Sequence, residues 1–330
     1  MAANIETAKE VQVSKRFDLK ALIPLISILI ALAIEVLVPN NLNLKYRELQ
    51  YFRNFLITAL IIITIAAIGS IFIDKLREKL VYRSKFIAGV FVILTVINLV
   101  TAKWLLLPQV YFPSLARIIG VFFQDTGLIA SCIGSSFILL VKGIIIGLII
   151  GLISGIAVGW SKEANYWIYP FIRITGPIPA STWTPLALIV FPNAQSAAVF
   201  LIAFGVWFQI TILTASGIQA VKKAYFEVSS TLGASDLQNL FKIALPAALP
   251  SIFIGLFNAT CSSFVALMAA EMIGCKSGLG WYVNWEKNML SYANVYAGLI
   301  VIAVFCYILV TVQFRVRDKF LSWQEGVVKW

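Results

Sequence analysis

From Ile174 to Val221 the chain runs 48 residues without a charged side chain. A bilayer-crossing helix needs only about 20 mostly apolar residues. The run therefore holds two crossings, with the natural break at Phe191-Pro192-Asn193. A soluble fold has no interior able to take such segments repeatedly, and similar apolar stretches recur along this sequence. Hydrophobic residues make up 60% and charged residues 12%, with a mean hydropathy of +0.91. Soluble domains hold about 45–50% apolar and about 25% charged residues. These values exclude a soluble enzyme, a disordered chain and a nucleic-acid-binding domain. The fold class is an all-α integral membrane protein embedded in lipid.

Eight apolar segments stand out: 21–38, 55–73, 86–102, 131–159, 178–191, 197–217, 249–270 and 293–314. The fifth is short and carries Pro179 and Pro185. The first follows a polar segment of mixed sign and precedes no small-residue cleavage pattern, so it is expected to be retained. With the N-terminus inside, 18 Lys and Arg fall on inner segments and 7 on outer ones. Cytoplasmic loops collect basic residues. Both termini are therefore expected in the cytoplasm of a plasma (inner) membrane protein, and segment 218–246 with them. The net charge of +11 is explained by this bias. The chain contains no histidine, which excludes His-ligated metal and His-based acid–base catalysis. The four cysteines are scattered and read as helix-packing thiols. No catalytic residue and no metal site are expected.

Gly143, Gly147, Gly151, Gly155 and Gly159 recur every fourth residue in the fourth segment. Residues four apart share a helix face, and small-xxx-small stripes let helix backbones approach closely in lipid. Lys142 sits one residue before the stripe, where it either faces a polar pathway or snorkels outward. The stretch 176–185 carries three prolines; Thr182 and Thr184 within it are candidates to line a pathway. Gln209, Asn258 and Ser262 are further polar candidates in apolar helices. Glu271 is either held by local backbone or touches the solute path or an extracytoplasmic partner. Glu35, near the outer end of its helix, is expected to reach the interface. An ion-coupled secondary transporter or channel is the alternative function, though it would want inverted repeats and midplane charges, and only Lys142 lies deep. A membrane enzyme would need a nucleophile with its base or paired acid–base groups, which the spans lack.

Segment 218–246 reads as two short helices joined at Gly233, a helix stop, with Ser235 as N-cap and Asp236 in the next first turn. Leu245-Pro246 is expected to end the second helix. Glu227, Gly233, Ile243, Leu245 and Pro246 fall at the spacings of a known pattern: Glu-Ala-Ala, three residues, Gly, nine residues, Ile, one residue, Leu-Pro. Val228-Ser229 replaces the Ala-Ala pair. The loop resembles the coupling loop of ABC importer permeases. Leu245–Pro250, Ala269–Gly274 and Ser277–Gly280 are similar to the nitrate/sulfonate/taurine branch. The resemblance covers about residues 110–315.

That resemblance implies an importer permease subunit for a small solute, with alternating access driven by separate ATPase subunits. The coupling contacts it assigns are Glu227, Gly233, Ala234, Asp236, Ile243, Leu245 and Pro246. It implies cytoplasmic ABC ATPases that bind ATP and Mg, an extracytoplasmic solute-binding protein and a second permease copy, most simply a homodimer. This chain has no Gly-x4-Gly-Lys-Ser/Thr phosphate loop, and no cofactor of its own is expected. The chain accordingly divides into an N-terminal extension with three transmembrane helices (1–105), a permease domain (106–315) and a cytoplasmic tail (316–330).

Overall fold

A computed structural model describes residues 19–40 and 46–322. The N-terminal segment 1–18 and the end of the tail, 323–330, hold part of the basic charge counted above and lie outside the described residues. Thirteen α-helices and no strand occur among the described residues. Six helical segments are long and apolar enough to cross a bilayer: Gln50–Phe72, Asp74–Lys103, Thr126–Trp160, Ala194–Gln219, Asp236–Ile273 and Tyr292–Phe320. Of the eight expected segments, the first and fifth form shorter apolar helices, Ile23–Leu37 and Ala180–Val190. Contacts group the chain into two compact units. One runs to Gln124 and includes Leu290–Ala297; the other comprises Asp125–Met289 and the chain from Gly298 onward. The division at 124 comes later than the boundary at 105 expected from sequence.

In the first unit, α1 (Ile23–Leu37), α2 (Tyr46–Phe72), α3 (Asp74–Asn98) and α4 (Leu115–Gln124) close around Ile28, Ala31, Phe52, Leu56, Phe91 and Ala116. Glu35, near the end of α1, is turned into the protein. It is buried against Lys103, with the ammonium 3.0 Å from its carboxylate. Lys103 also donates to the backbone carbonyls of Glu35 (3.0 Å) and Val38 (2.7 Å). Asn98 donates to the same carboxylate at 2.7 Å. The lysine thus satisfies carbonyls at the end of α1 that have no partner within the helix, and its charge sits at the negative end of the helix dipole.

In the second unit, α5 (Thr126–Trp160) packs on α8 (Ala194–Gln219). The glycine stripe is the seam. A Cβ on Gly147 would lie 2.5 Å from the Ala203 carbonyl oxygen and 2.6 Å from Val206 Cβ. One on Gly151 would meet Ile210 at 2.8 Å, and one on Gly155 would meet Thr214 at 2.7 Å. Partners on α8 advance in step with the glycines, so the two helices are parallel.

Parallel neighbours require the intervening chain to return along their length. That return is made in two pieces, α6 (Lys162–Thr175) and α7 (Thr184–Val190), joined by an irregular stretch and a 3₁₀ turn at Ala180–Trp183. Gly176, Pro177 and Pro179 occupy the break. A Cβ on Gly176 would overlap the Phe208 ring. The return of the chain therefore begins at Lys162, not at 178, and residues 162–173, expected as a loop, are helix. The sequence reading missed this because Lys162, Glu163 and Arg173 hide the amphipathic face of α6 from a hydropathy window.

After α8 come α9 (Lys223–Thr231), α10 (Asp236–Asn239) and α11 (Leu245–Ile273). Gly217 packs on Ala248 and Ser251, and Gly255 on Leu213, so α11 returns antiparallel to α8. The short α12 (Leu279–Asn288) and the long α13 (Tyr292–Phe320) complete the chain. The four cysteines are free.

Candidate functional site

The loop between α8 and α11 is ordered by local chemistry. Gly233 adopts φ +83°, a left-handed conformation with no side-chain penalty for glycine. The amides of Gly233 and Ala234 donate to the carbonyls of Ser230 and Ser229, both at 3.0 Å, closing the end of α9. Ser235 then caps α10 in a capping box: its hydroxyl accepts from the Gln238 amide, and the Gln238 side chain accepts from the Ser235 amide at 3.0 Å. The two arms are tied together where the Ser229 hydroxyl donates to Asn239 Oδ1 at 2.5 Å.

One expectation is corrected. Leu245-Pro246 does not end a separate helix. A π-helical turn over Leu240–Ala244 carries α10 directly into α11, and Pro246 falls in the first turn of α11, where its missing N–H costs nothing.

The loop is anchored from beneath. Phe226 packs edge-on against Trp160 at the end of α5, with ring centroids 5.7 Å apart. Leu240 and Ala244 join Ile218, Ala248 and Ile252 in a buried cluster. The opposite face is apolar and open: Tyr225, Val228, Leu232, Leu237 and Phe241 are all exposed, Leu232 to 82%. Glu227 and Asp236 are exposed beside them, Ala234 is half-buried and Ile243 is half-buried in the π turn. An exposed apolar patch rimmed by charge on a capped loop is the kind of surface that marks interaction sites.

The polar candidates separate into groups. Lys142 lines a cavity of about 930 Å³ bounded by α5, α8 and the chain between Phe171 and Ser196, with Cys275 and Ser277 on its rim. An unpaired lysine at the centre of a membrane helix costs about 2.5–3.5 kcal/mol, which is why such residues face water-filled cavities or partners. Gln209 and Ser262 come together in a smaller groove of about 190 Å³ at the break between α6 and α7, beside Pro179 and Ser181. Thr182 and Asn258 are exposed and line neither space; Thr184 is buried, its hydroxyl donating to the Ser181 carbonyl at 2.6 Å.

Glu271 also lies outside both spaces. It is fully buried, accepting from the Ser136 hydroxyl and the Gly280 amide, both at 2.7 Å. Ser136 in turn accepts from the Leu279 amide at 2.8 Å. Gly278, at φ +118°, lets the chain pass where a Cβ would collide with this carboxylate. Glu271 is thus a clamp on the turn between α11 and α12. Sequence reasoning missed Ser136 as its partner, 135 residues away, and missed the aromatic wall of the cavity formed by Phe200, Phe204 and Trp207. The i, i+4, i+7 spacing of those rings was a legible signal.

A multi-helix membrane domain, with a capped loop joining the antiparallel helices α8 and α11 and a cavity lined by Lys142, has the features of a solute-transport component. Residues 143–321, more than half the chain, match the family of binding-protein-dependent transport system inner membrane components. The chain belongs to that family and is a multi-pass permease subunit. It is 33% identical to the bicarbonate transport system permease protein of Synechococcus elongatus, over 61% of this chain and 69% of that one. It is 30% identical to the taurine transport system permease protein of Escherichia coli, over 47% of this chain and 56% of that one. It is 29% identical to the nitrate import permease protein of Leptolyngbya laminosa, over 62% of this chain and 72% of that one. A chain of the inward-facing MetNI methionine ABC transporter superposes with a TM-score of 0.50 at 16% identity, covering 60% of this chain and 98% of its own. That likeness concerns the fold.

Proposed function

We propose that this permease works as one of a pair, with cytoplasmic ATPase subunits seated on the loop from Lys223 to Pro246, and that it imports a small anionic solute handed over by an extracytoplasmic binding protein. The carrying observation is the loop itself: rigid, capped at both helices, fixed to α5 through Phe226 and Trp160, and presenting an apolar face with Glu227 beside it. Tyr225, Val228, Leu232, Leu237 and Phe241 would fill a groove on the ATPase, Glu227 and Asp236 would meet polar groups at its edge, and Gly233 sets the turn between the two arms. ATP and Mg would bind to the ATPase, and this chain would carry the movement. The positive-inside bias supports a cytoplasmic position for the loop and both termini. The relatives' bicarbonate, taurine and nitrate support a small anion as cargo.

The test is co-expression with the ATPase subunit of the same transport system and a pull-down on a tag, comparing wild type with Glu227→Lys and Gly233→Trp. Loss of co-purification in both variants, with the permease still monodisperse, is the expected result. A well-behaved wild-type permease that captures no ATPase in several detergents would refute the reading.

A further inference from the structure

We propose that the cavity beside Lys142 is a solute site for an organic anion with a flat apolar body, its charge held by the Lys142 ammonium and its body laid on the aromatic face of α8. This rests on the importer reading and narrows the cargo from small anions in general to those with an apolar body.

Three observations carry it. The first is an unmatched charge. Lys142 is near the middle of the 35-residue α5 and makes no hydrogen bond or ion pair among the described residues. The carboxylates buried within membrane-spanning segments are already engaged: Glu35 with Lys103, and Glu271 with Ser136 and Gly280. A second copy of the chain would bring the same engaged groups. Lys142 is exposed at the cavity, so its ammonium is open to a guest anion.

The second is the aromatic wall. Phe200, Phe204 and Trp207 share one face of α8 and follow one another at centroid distances of 5.9 and 5.7 Å with planes within 27°. Phe191 extends the series 4.9 Å beyond Phe200. Trp207 is held in place by its indole N–H, which donates to Ser154 on α5 at 3.0 Å. A row of rings with nearly parallel planes offers apolar and aromatic contact to a ligand's body. The parallel seam fixes the level: Gly143 abuts Val199 and Ile202, so its neighbour Lys142 stands opposite Phe200 and not a turn or two away.

The third is size. At about 930 Å³ the cavity is at the upper end of pockets that hold drug-sized ligands. A bare inorganic anion would leave the rings unused.

The probes are radiolabelled benzenesulfonate, methanesulfonate, nitrate and neutral benzenesulfonamide. Each is equilibrated by dialysis with the full-length permease in nanodiscs, with its ATPase retained where it co-purifies. Benzenesulfonate is expected to bind saturably and at least tenfold more tightly than methanesulfonate or nitrate. Lys142→Met should weaken benzenesulfonate at least tenfold and leave benzenesulfonamide within about threefold; Lys142→Arg should keep benzenesulfonate within about threefold. Phe204→Ala should abolish the preference for benzenesulfonate over methanesulfonate. Equal benzenesulfonate binding by wild type and Lys142→Met, nitrate or methanesulfonate binding as tightly as benzenesulfonate, or no saturable binding of any probe would each overturn the site. Retained ATPase with no Lys142-dependent binding refutes the site alone. Lys142-dependent binding without ATPase capture supports the site and refutes the importer reading.

Discussion

Replacing Gly147 with alanine adds one methyl group where the backbone of α8 comes closest to the α5–α8 seam. That methyl carbon would stand 2.5 Å from the Ala203 oxygen and 2.6 Å from Val206 Cβ, where ordinary contact is 3.4–4 Å. The Ala203 oxygen is backbone and cannot rotate away, so the helices must separate by about 1 Å, a gap that forfeits a quarter to a half of each dispersion contact it opens. Overpacking of this kind costs about 1–3 kcal/mol. Gly134, three turns earlier on the same helix, has nothing within 4 Å of an added Cβ. There the same substitution should stabilise by up to about 1 kcal/mol through helix propensity. The two variants should therefore shift in opposite directions and differ by about 1–4 kcal/mol. SDS titration of the purified permease, followed by circular dichroism, measures both against wild type. If both variants shift the midpoint alike, close backbone packing is not what the glycine stripe provides.

Two further outcomes follow from buried groups. Lys103→Met leaves the Glu35 carboxylate buried without its cation and should cost about 3–5 kcal/mol, whereas Glu35→Met with Lys103→Met should recover most of that loss; the same SDS titration reads it, and a double variant as unstable as the single one would contradict a pairwise origin. Cys275, just past the end of α11, has its thiol pushed up to about 11, first by burial and then by the nearby Glu271 carboxylate. At pH 8 only about one thousandth of it is thiolate, so iodoacetamide should modify it slowly, faster as pH rises toward 11, and faster in Glu271→Gln, as peptide mass spectrometry would show; a rate flat between pH 8 and 10 would contradict this.

What the sequence showed and what it concealed divide along the range of the interactions. The glycine stripe, the turn at Gly233 and the cap at Ser235 depend on residues within a few positions of each other, and all were legible. The clamp on Glu271 was not, because its donor Ser136 lies on another helix and a serine in an apolar segment has many innocuous roles. The crossing through α6 and α7 was hidden because hydropathy averages over faces. Charged residues on one side of α6 cancel Ile172, Phe171 and Trp167 on the others, and only the parallel register of α5 and α8 requires the chain to return there. The ion pair of Glu35 and Lys103 joins residues 68 positions apart, for which a single sequence contains no signal.

The order of elements in the second unit gives a mechanical reason for the loop to matter to the cavity. α8 starts at the cavity with Asn193 and Ser196, carries the aromatic wall on its first half and ends at Gln219, a few residues before the loop. α11 starts inside the loop, without a break at Pro246, and ends at the Glu271 clamp, whose turn puts Cys275 and Ser277 on the cavity rim. One helix that bounds the cavity, α8, leads into the loop, and the other end of the loop continues as α11, whose following turn reaches the cavity. Coupling between distant sites travels through rigid elements with discrete arrangements; the connection into α11 is continuous helix, while three residues, 220–222, join α8 to the loop. The compliant part lies elsewhere, at the proline-broken stretch 176–179 between α6 and α7. Gln209 and Ser262 face that break. Gln209 on α8 and Ser262 on α11 both line the groove beside that break, so a relative shift of the two helices would alter its width.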